Sequence, residues 1–184
     1  MHRLSLLLSF GLLALPAGCS DSPPGDGGTS AKAVSALLDD ASAAMDAQDW
    51  KKAIATLDAA LADGRATAEE RVQAWQDKVL CEAQAHGDEA ASAALKALVA
   101  SGVEMTPDQF AKLGNDLAAA DKLTAAVDVI DVATRKFAGD DAVKKKLERL
   151  ARGLSKKLQA SGDQASLDRL SSLGYLGTTT DEDE

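Results

Sequence analysis

The chain has 184 residues and a net charge of −9, a balance that argues against nucleic acid as a partner, since phosphate binding needs a basic footprint. Aromatic residues make up only 3% against 46% hydrophobic overall, so a core must be built from Ala and Leu, as when helices pack closely. With two cysteines, Cys19 and Cys81, at most one disulfide could form, and none within the chain if Cys19 is otherwise modified.

The first residues, Met1-His2-Arg3, precede an apolar run from Leu4 to Leu15 and then Pro16-Ala17-Gly18-Cys19. One basic residue, about a dozen apolar ones and small residues ahead of a cysteine have the layout of a secretory signal peptide. The run is short of the ~20 apolar residues that span a bilayer. The small pair before Cys19 resembles the lipobox of bacterial lipoproteins, with the departure that the nearest leucine, Leu15, lies one place early. The resemblance implies that residues 1–18 are a lipoprotein signal peptide and that Cys19 receives diacylglycerol. It also implies a lipid-anchored protein of the bacterial cell envelope, on the periplasmic face of the outer membrane if the cell is Gram-negative. Loss of residues 1–18 removes Arg3 and no acid, leaving 19 basic against 29 acidic residues. Cys81, in an apolar helical stretch, reads as a small buried hydrophobe.

Residues 19–30 contain the lipidation site and a Pro/Gly/Ser/Asp tether that cannot bury a core, reaching ~20 Å as a random coil. From Ala31 helix formers follow one another without strand-type alternation. Thr67-Ala68-Glu69-Glu70 and Thr106-Pro107-Asp108-Gln109 fit the capping box. Asp49, Asp88, Asp121 and Asp163 stand where each would cap a helix, and Gly64, Gly87, Gly102, Gly139 and Gly162 where helices should end. Eight helices are predicted, over 31–47, 50–63, 68–86, 89–101, 107–119, 122–138, 141–160 and 164–173. They pair into four antiparallel hairpins within a helical domain over residues 31–176.

The hairpins repeat. Phe110, Leu113, Gly114 and Leu117, followed by Ala126, Ile130 and Ala133, form a pattern that an earlier hairpin repeats in Ala41, Ala44, Ala53, Leu57 and Ala60 at identical spacings. The intervening hairpin is weaker, matching at Trp75, Ala91, Leu95 and Leu98 with Lys78 and Glu82 where apolar residues belong. This pattern resembles the tetratricopeptide repeat, over about residues 34 to 138. The resemblance implies an all-α fold, antiparallel hairpins stacked as a short TPR-like solenoid, with a compact helical bundle as the alternative. Gly114 and Ala126 would sit where two helices of one hairpin cross, and Ala125 would be exposed. In the family, the first helix of each hairpin lines a concave groove. Carried onto this chain, the groove residues are Ser42 and Met45, then Gln76 and Ala83, then Lys112, Asn115 and Ala119. Asp39 and Asp77 stand where Lys112 stands in its own repeat, which speaks against recognition of a free carboxylate.

No catalytic set emerges. His86 is the sole histidine after the signal, and no cysteine pair or His-Glu motif offers a metal site, so no cofactor and no enzymatic activity are expected. Between Asp141 and Ala160 seven basic residues stand against two acids. That helix could meet anionic head groups, neutralise the acidic remainder, or face water. Tyr175 and Leu176 should fold back onto the last hairpin, and residues 177–184 form an acidic tail expected to be disordered. The expected function is a membrane-anchored, non-catalytic adaptor for a protein or peptide partner. Its alternative is an accessory subunit or small-ligand-binding component of an envelope enzyme or transporter.

Overall fold

A computed structural model describes residues 33–176. The signal peptide, Cys19, the tether and the acidic tail lie outside the described residues.

The described chain is all-helical, with α1 (Val34–Asp46), α2 (Trp50–Ala62), α3 (Ala68–His86), α4 (Asp88–Ala100), α5 (Pro107–Ala119), α6 (Leu123–Lys136), α7 (Asp141–Ser161) and α8 (Gln164–Ser172). Local chemistry sets most boundaries. Thr67 and Thr106 form complete capping boxes with Glu70 and Gln109. Asp49, Asp140 and Asp163 accept hydrogen bonds from the first-turn amides of α2, α7 and α8. Gly162 closes α7 in the left-handed region at φ 75°, where a Cβ would be strained.

Two of the expected caps act differently. Gly87 occupies the cap position of α4, so Asp88 is the first residue inside that helix. Asp121 adopts a left-handed φ of 61° in the turn between α5 and α6, as Gln48 does at 56° between α1 and α2. The two turns share a register: the Asp49 amide donates to Ala44 O at 2.8 Å, and the Lys122 amide to Leu117 O at 2.9 Å. Lys122 therefore stands where Asp49 stands, and α6 has no side-chain cap of its own. Asp88 supplies it from the preceding hairpin, accepting the Ala125 amide at 3.2 Å, just as Asp49 accepts the Lys52 amide at 3.2 Å.

Helix packing is local in sequence. Each extensive contact joins a helix to one of the next two: α1 to α2 and α3, α2 to α3, α3 to α4 and α5, α4 to α6, α5 to α6 and α7, α6 to α7 and α8, and α7 to α8. Two apolar clusters result. One holds Val34, Leu38, Ala41, Leu57 and Cys81 and the other runs from Val72 to Tyr175. Both draw on α3, whose Ala74 and Cys81 face the first cluster and whose Val72, Val79 and Ala83 face the second.

Every repeat-packing residue is buried. Ala53, Leu57, Ala91, Leu117, Ala126, Ile130 and Ala133 are fully enclosed, and Ala41, Ala60, Leu95, Phe110 and Leu113 nearly so. Gly114 is buried as well, but the neighbour that demands its missing side chain is Leu150 of α7, in the next hairpin, with Val129 of α6 behind it. Ala125 is 1% exposed, contrary to its expected place on the surface, because α6 packs against α4 and α8 as well as α5. Tyr175 folds back onto α6, its hydroxyl 2.8 Å from Thr134 Oγ1.

Candidate binding groove

A groove lies between α5 and α7. Lys146 pairs with Asp108 where both helices begin, and Lys157 Nζ donates to Ala118 O at 2.6 Å where α5 ends. The two helices therefore run side by side in the same direction. Ala111 and Leu150 form the apolar floor, and Lys112, Asn115, Lys146 and Arg149 the polar walls, around a volume of about 520 Å3. The floor is tight because Gly114 has no Cβ: one placed there would lie 2.6 Å from Leu150 Cδ2.

Most of the groove charges are already engaged. Lys112 Nζ donates to Asp116 at 2.7 Å one turn along α5, and Lys146 is held by Asp108. Arg149 makes no ion pair or hydrogen bond among the described residues, and Asn115 is exposed beside it. Burial raises the Asp77 carboxyl above the ordinary carboxylate range, opposed by nearby Lys112 and a hydrogen bond from Gln73. The groove thus presents an amide and a free guanidinium above a small apolar strip. That combination can hold an extended acidic or polar polypeptide segment by charge-assisted hydrogen bonds.

The seven residues expected in a groove do not converge. Lys112 and Asn115 line the α5–α7 groove, and Ala119 is exposed at the end of α5. Ser42 is exposed on α1, whereas Met45 is half-buried against the first apolar cluster. Gln76 is spent structurally, its Nε2 donating to Gln109 O at 2.9 Å and tying α3 to α5. Ala83 is fully buried in the second cluster; α3 packs on both sides, so no groove remains at that position. Lys146 and Arg149 were legible only as part of a basic helix. Their register, flanking the core positions Leu147 and Leu150, is what turns them toward α5.

The out-of-pattern polar residues of the second hairpin find partners. Lys78 binds Asp58 at 2.5 Å, and its Nζ lies 5.3 Å from the centre of the Trp75 ring, so its charge is shared between a carboxylate and an aromatic face. Glu82 is 2.9 Å from His86 Nδ1. Cys81 is fully buried, and burial, with smaller contributions from Asp77 and Glu82, pushes its thiol up to about 12. An inert small hydrophobe fits that environment.

On the opposite side, Asp128 of α6 joins Ser92 of α4 to Arg169 of α8, and Arg169 also reaches Asp131 at 3.7 Å. These side chains border a recess of about 640 Å3 between α4 and α6, near Val99. They are mutually satisfied and bind the last three hairpins together. Among the described residues no cluster of His, Cys, Asp and Glu is arranged to hold a metal ion, and no helix is long and apolar enough to cross a membrane. Comparison with family models, curated proteins and solved structures finds no match to this chain.

Proposed function

We propose that this protein is a non-catalytic adaptor of the bacterial cell envelope, anchored by lipid at Cys19 and built as a short TPR-like stack of helical hairpins. Support for the stack comes from extensive helix contacts that join each helix only to one of the next two. The shared turn geometry at Gln48 and Asp121 adds to it, as does the burial of the small residues at repeat positions. A quasi-one-dimensional stack exposes long surfaces suited to binding polypeptides.

The observation that carries the adaptor reading is the α5–α7 groove, where Asn115 and Arg149, which has no ion-pair partner among the described residues, stand over Ala111 and Leu150. A small-ligand reading has less to stand on, because the rings that border recesses, Phe137 and Tyr175 in one and Phe110 in another, are also engaged in packing. Phe110 and Phe137 meet edge to face at 5.9 Å, and Trp75 lies beneath Lys78. The deciding experiment is affinity capture from solubilised envelopes with the full-length protein and with Asn115→Ala/Arg149→Ala. A partner retained by the first and lost by the second, with unchanged circular dichroism, supports the groove. Equal capture by both removes it as the working face.

A further inference from the structure

The exposed face of α7 is a basic stripe. Lys145, Arg149, Arg152 and Lys156 are all exposed, and their spacing of four, three and four residues puts them on one side of the helix, in a row about 16 Å long. Neutralisation of the acidic remainder falls to the flanks of α7, where Lys146 pairs with Asp108 and Lys157 with Asp121. Within the stripe, Lys145, Arg149 and Lys156 make no ion pair among the described residues, and Arg152 has only a 3.8 Å contact with Glu148. On other helices Lys78, Lys112, Arg135, Lys136 and Arg169 each have a carboxylate partner. Like charges three and four residues apart repel along a helix, and an anionic surface laid against the stripe relieves that repulsion.

The make-up of the face selects the kind of surface. Lys145, Arg152 and Lys156 line neither the α5–α7 groove nor the recess between α4 and α6, and the exposed residues beside them, Gly153, Gln159 and Ala160, include no large apolar side chain. A tight protein partner needs buried aromatic or apolar anchors, which this face does not offer. A layer of lipid head groups needs only a row of cations within reach, each basic residue near the surface contributing about fivefold in affinity. The chain as a whole is acidic and is repelled by the same layer, which turns the stripe toward it. We propose that the Lys145, Arg149, Arg152 and Lys156 face of α7 docks on an anionic phospholipid surface. The contact goes beyond the adaptor reading and stands without it, since it needs neither a partner nor the groove.

Acetylation of the full-length protein by a water-soluble reagent, mapped by peptide mass spectrometry, reads which lysines a surface covers. The probes are vesicles of phosphatidylcholine alone and vesicles containing about one-third phosphatidylglycerol. Expected is roughly fivefold slower labelling of Lys145 and Lys156 on the anionic vesicles only, restored at about 0.5 M salt, with Lys51 and Lys52 of α2 unchanged. Arg149→Glu/Arg152→Glu keeps both reporter lysines and should lose the protection, whereas Arg149→Lys/Arg152→Lys should keep it, with circular dichroism unchanged in each. Lys51→Glu/Lys52→Glu makes the same change in net charge and should keep the protection too, as should Asn115→Ala, which alters the groove alone. No protection, protection as strong on neutral vesicles, protection shared equally by Lys51 and Lys52, or equal loss in the two glutamate pairs overturns the proposal. So does equal protection by hexaglutamate at the same concentration of negative charge, which would make the stripe a site for acidic polypeptide.

Discussion

Gly114 of α5 faces Leu150 of α7 across a gap too small for a methyl group: a Cβ at position 114 would stand 2.6 Å from Leu150 Cδ2. The glycine therefore lets the end of the Leu150 side chain lie directly on α5, and a methyl group there would push that side chain aside. Gly114→Ala gains up to ~1 kcal/mol in propensity but overpacks a buried site, a penalty of ~1–3 kcal/mol, so a net loss of about 1 kcal/mol is expected. In a Leu150→Ala background the clash is gone and the same change should stabilise. Urea titrations of the four chains measure the coupling, and a Gly114→Ala effect of the same sign in both backgrounds would contradict this contact.

Ala126 is fully buried and Ala125 is 1% exposed, so leucine at either position should overpack the core by ~1–3 kcal/mol. Ala93, exposed on α4, is the proper neutral control. Thermal melts should place Ala126→Leu and Ala125→Leu well below wild type and Ala93→Leu within a degree or two of it.

Asp88 links two hairpins by accepting the Ala125 amide. Asp88→Ala should cost ~0.5–2 kcal/mol, as loss of an N-cap does, while Asp88→Asn keeps an acceptor and should retain most of the stability. Hydrogen exchange supplies the local readout: the Ala125 amide should lose protection in the alanine variant while the Lys52 amide in α2 keeps its own.

Asp77 provides a pH test with a defined sign. Burial raises its carboxyl pKa in the folded chain, so ionisation weakens the fold at neutral pH and the penalty disappears once both states are protonated. Asp77→Asn should therefore be more stable than wild type at pH 7. Its advantage should shrink as the pH falls through the raised folded value toward the ordinary 3.8. Asp163 has the opposite sign: its pKa is lowered by hydrogen bonds from Ser166 and then Thr124, with Arg169 contributing, so its stabilisation is lost on acidification. An Asp77→Asn advantage that grows on acidification would refute the assignment.

Cys19 carries the membrane anchor in the proposed function. Cys19→Ser should abolish incorporation of radiolabelled fatty acid and leave an uncut or soluble product, and labelling that survives the change would sink the anchor.

The secondary structure was largely written in local chemistry. Thr67 with Glu70 and Thr106 with Gln109 mark two helix starts that depend on residues three apart, and the small residues at Ala41, Ala53, Gly114 and Ala126 announce close packing because their size alone limits how near two helices can come. What packs against what was decided only by the tertiary structure. Asp88 became the cap of another hairpin's helix, Ala83 vanished into α3's second buried face, and Gln76 was taken by the Gln109 carbonyl. Lys146 and Arg149 became groove walls because α7 runs beside α5. Periodicity fixes the face of a helix a residue occupies, but its partners depend on helices distant in sequence, and a pattern of spacings within one hairpin carries no term for the next.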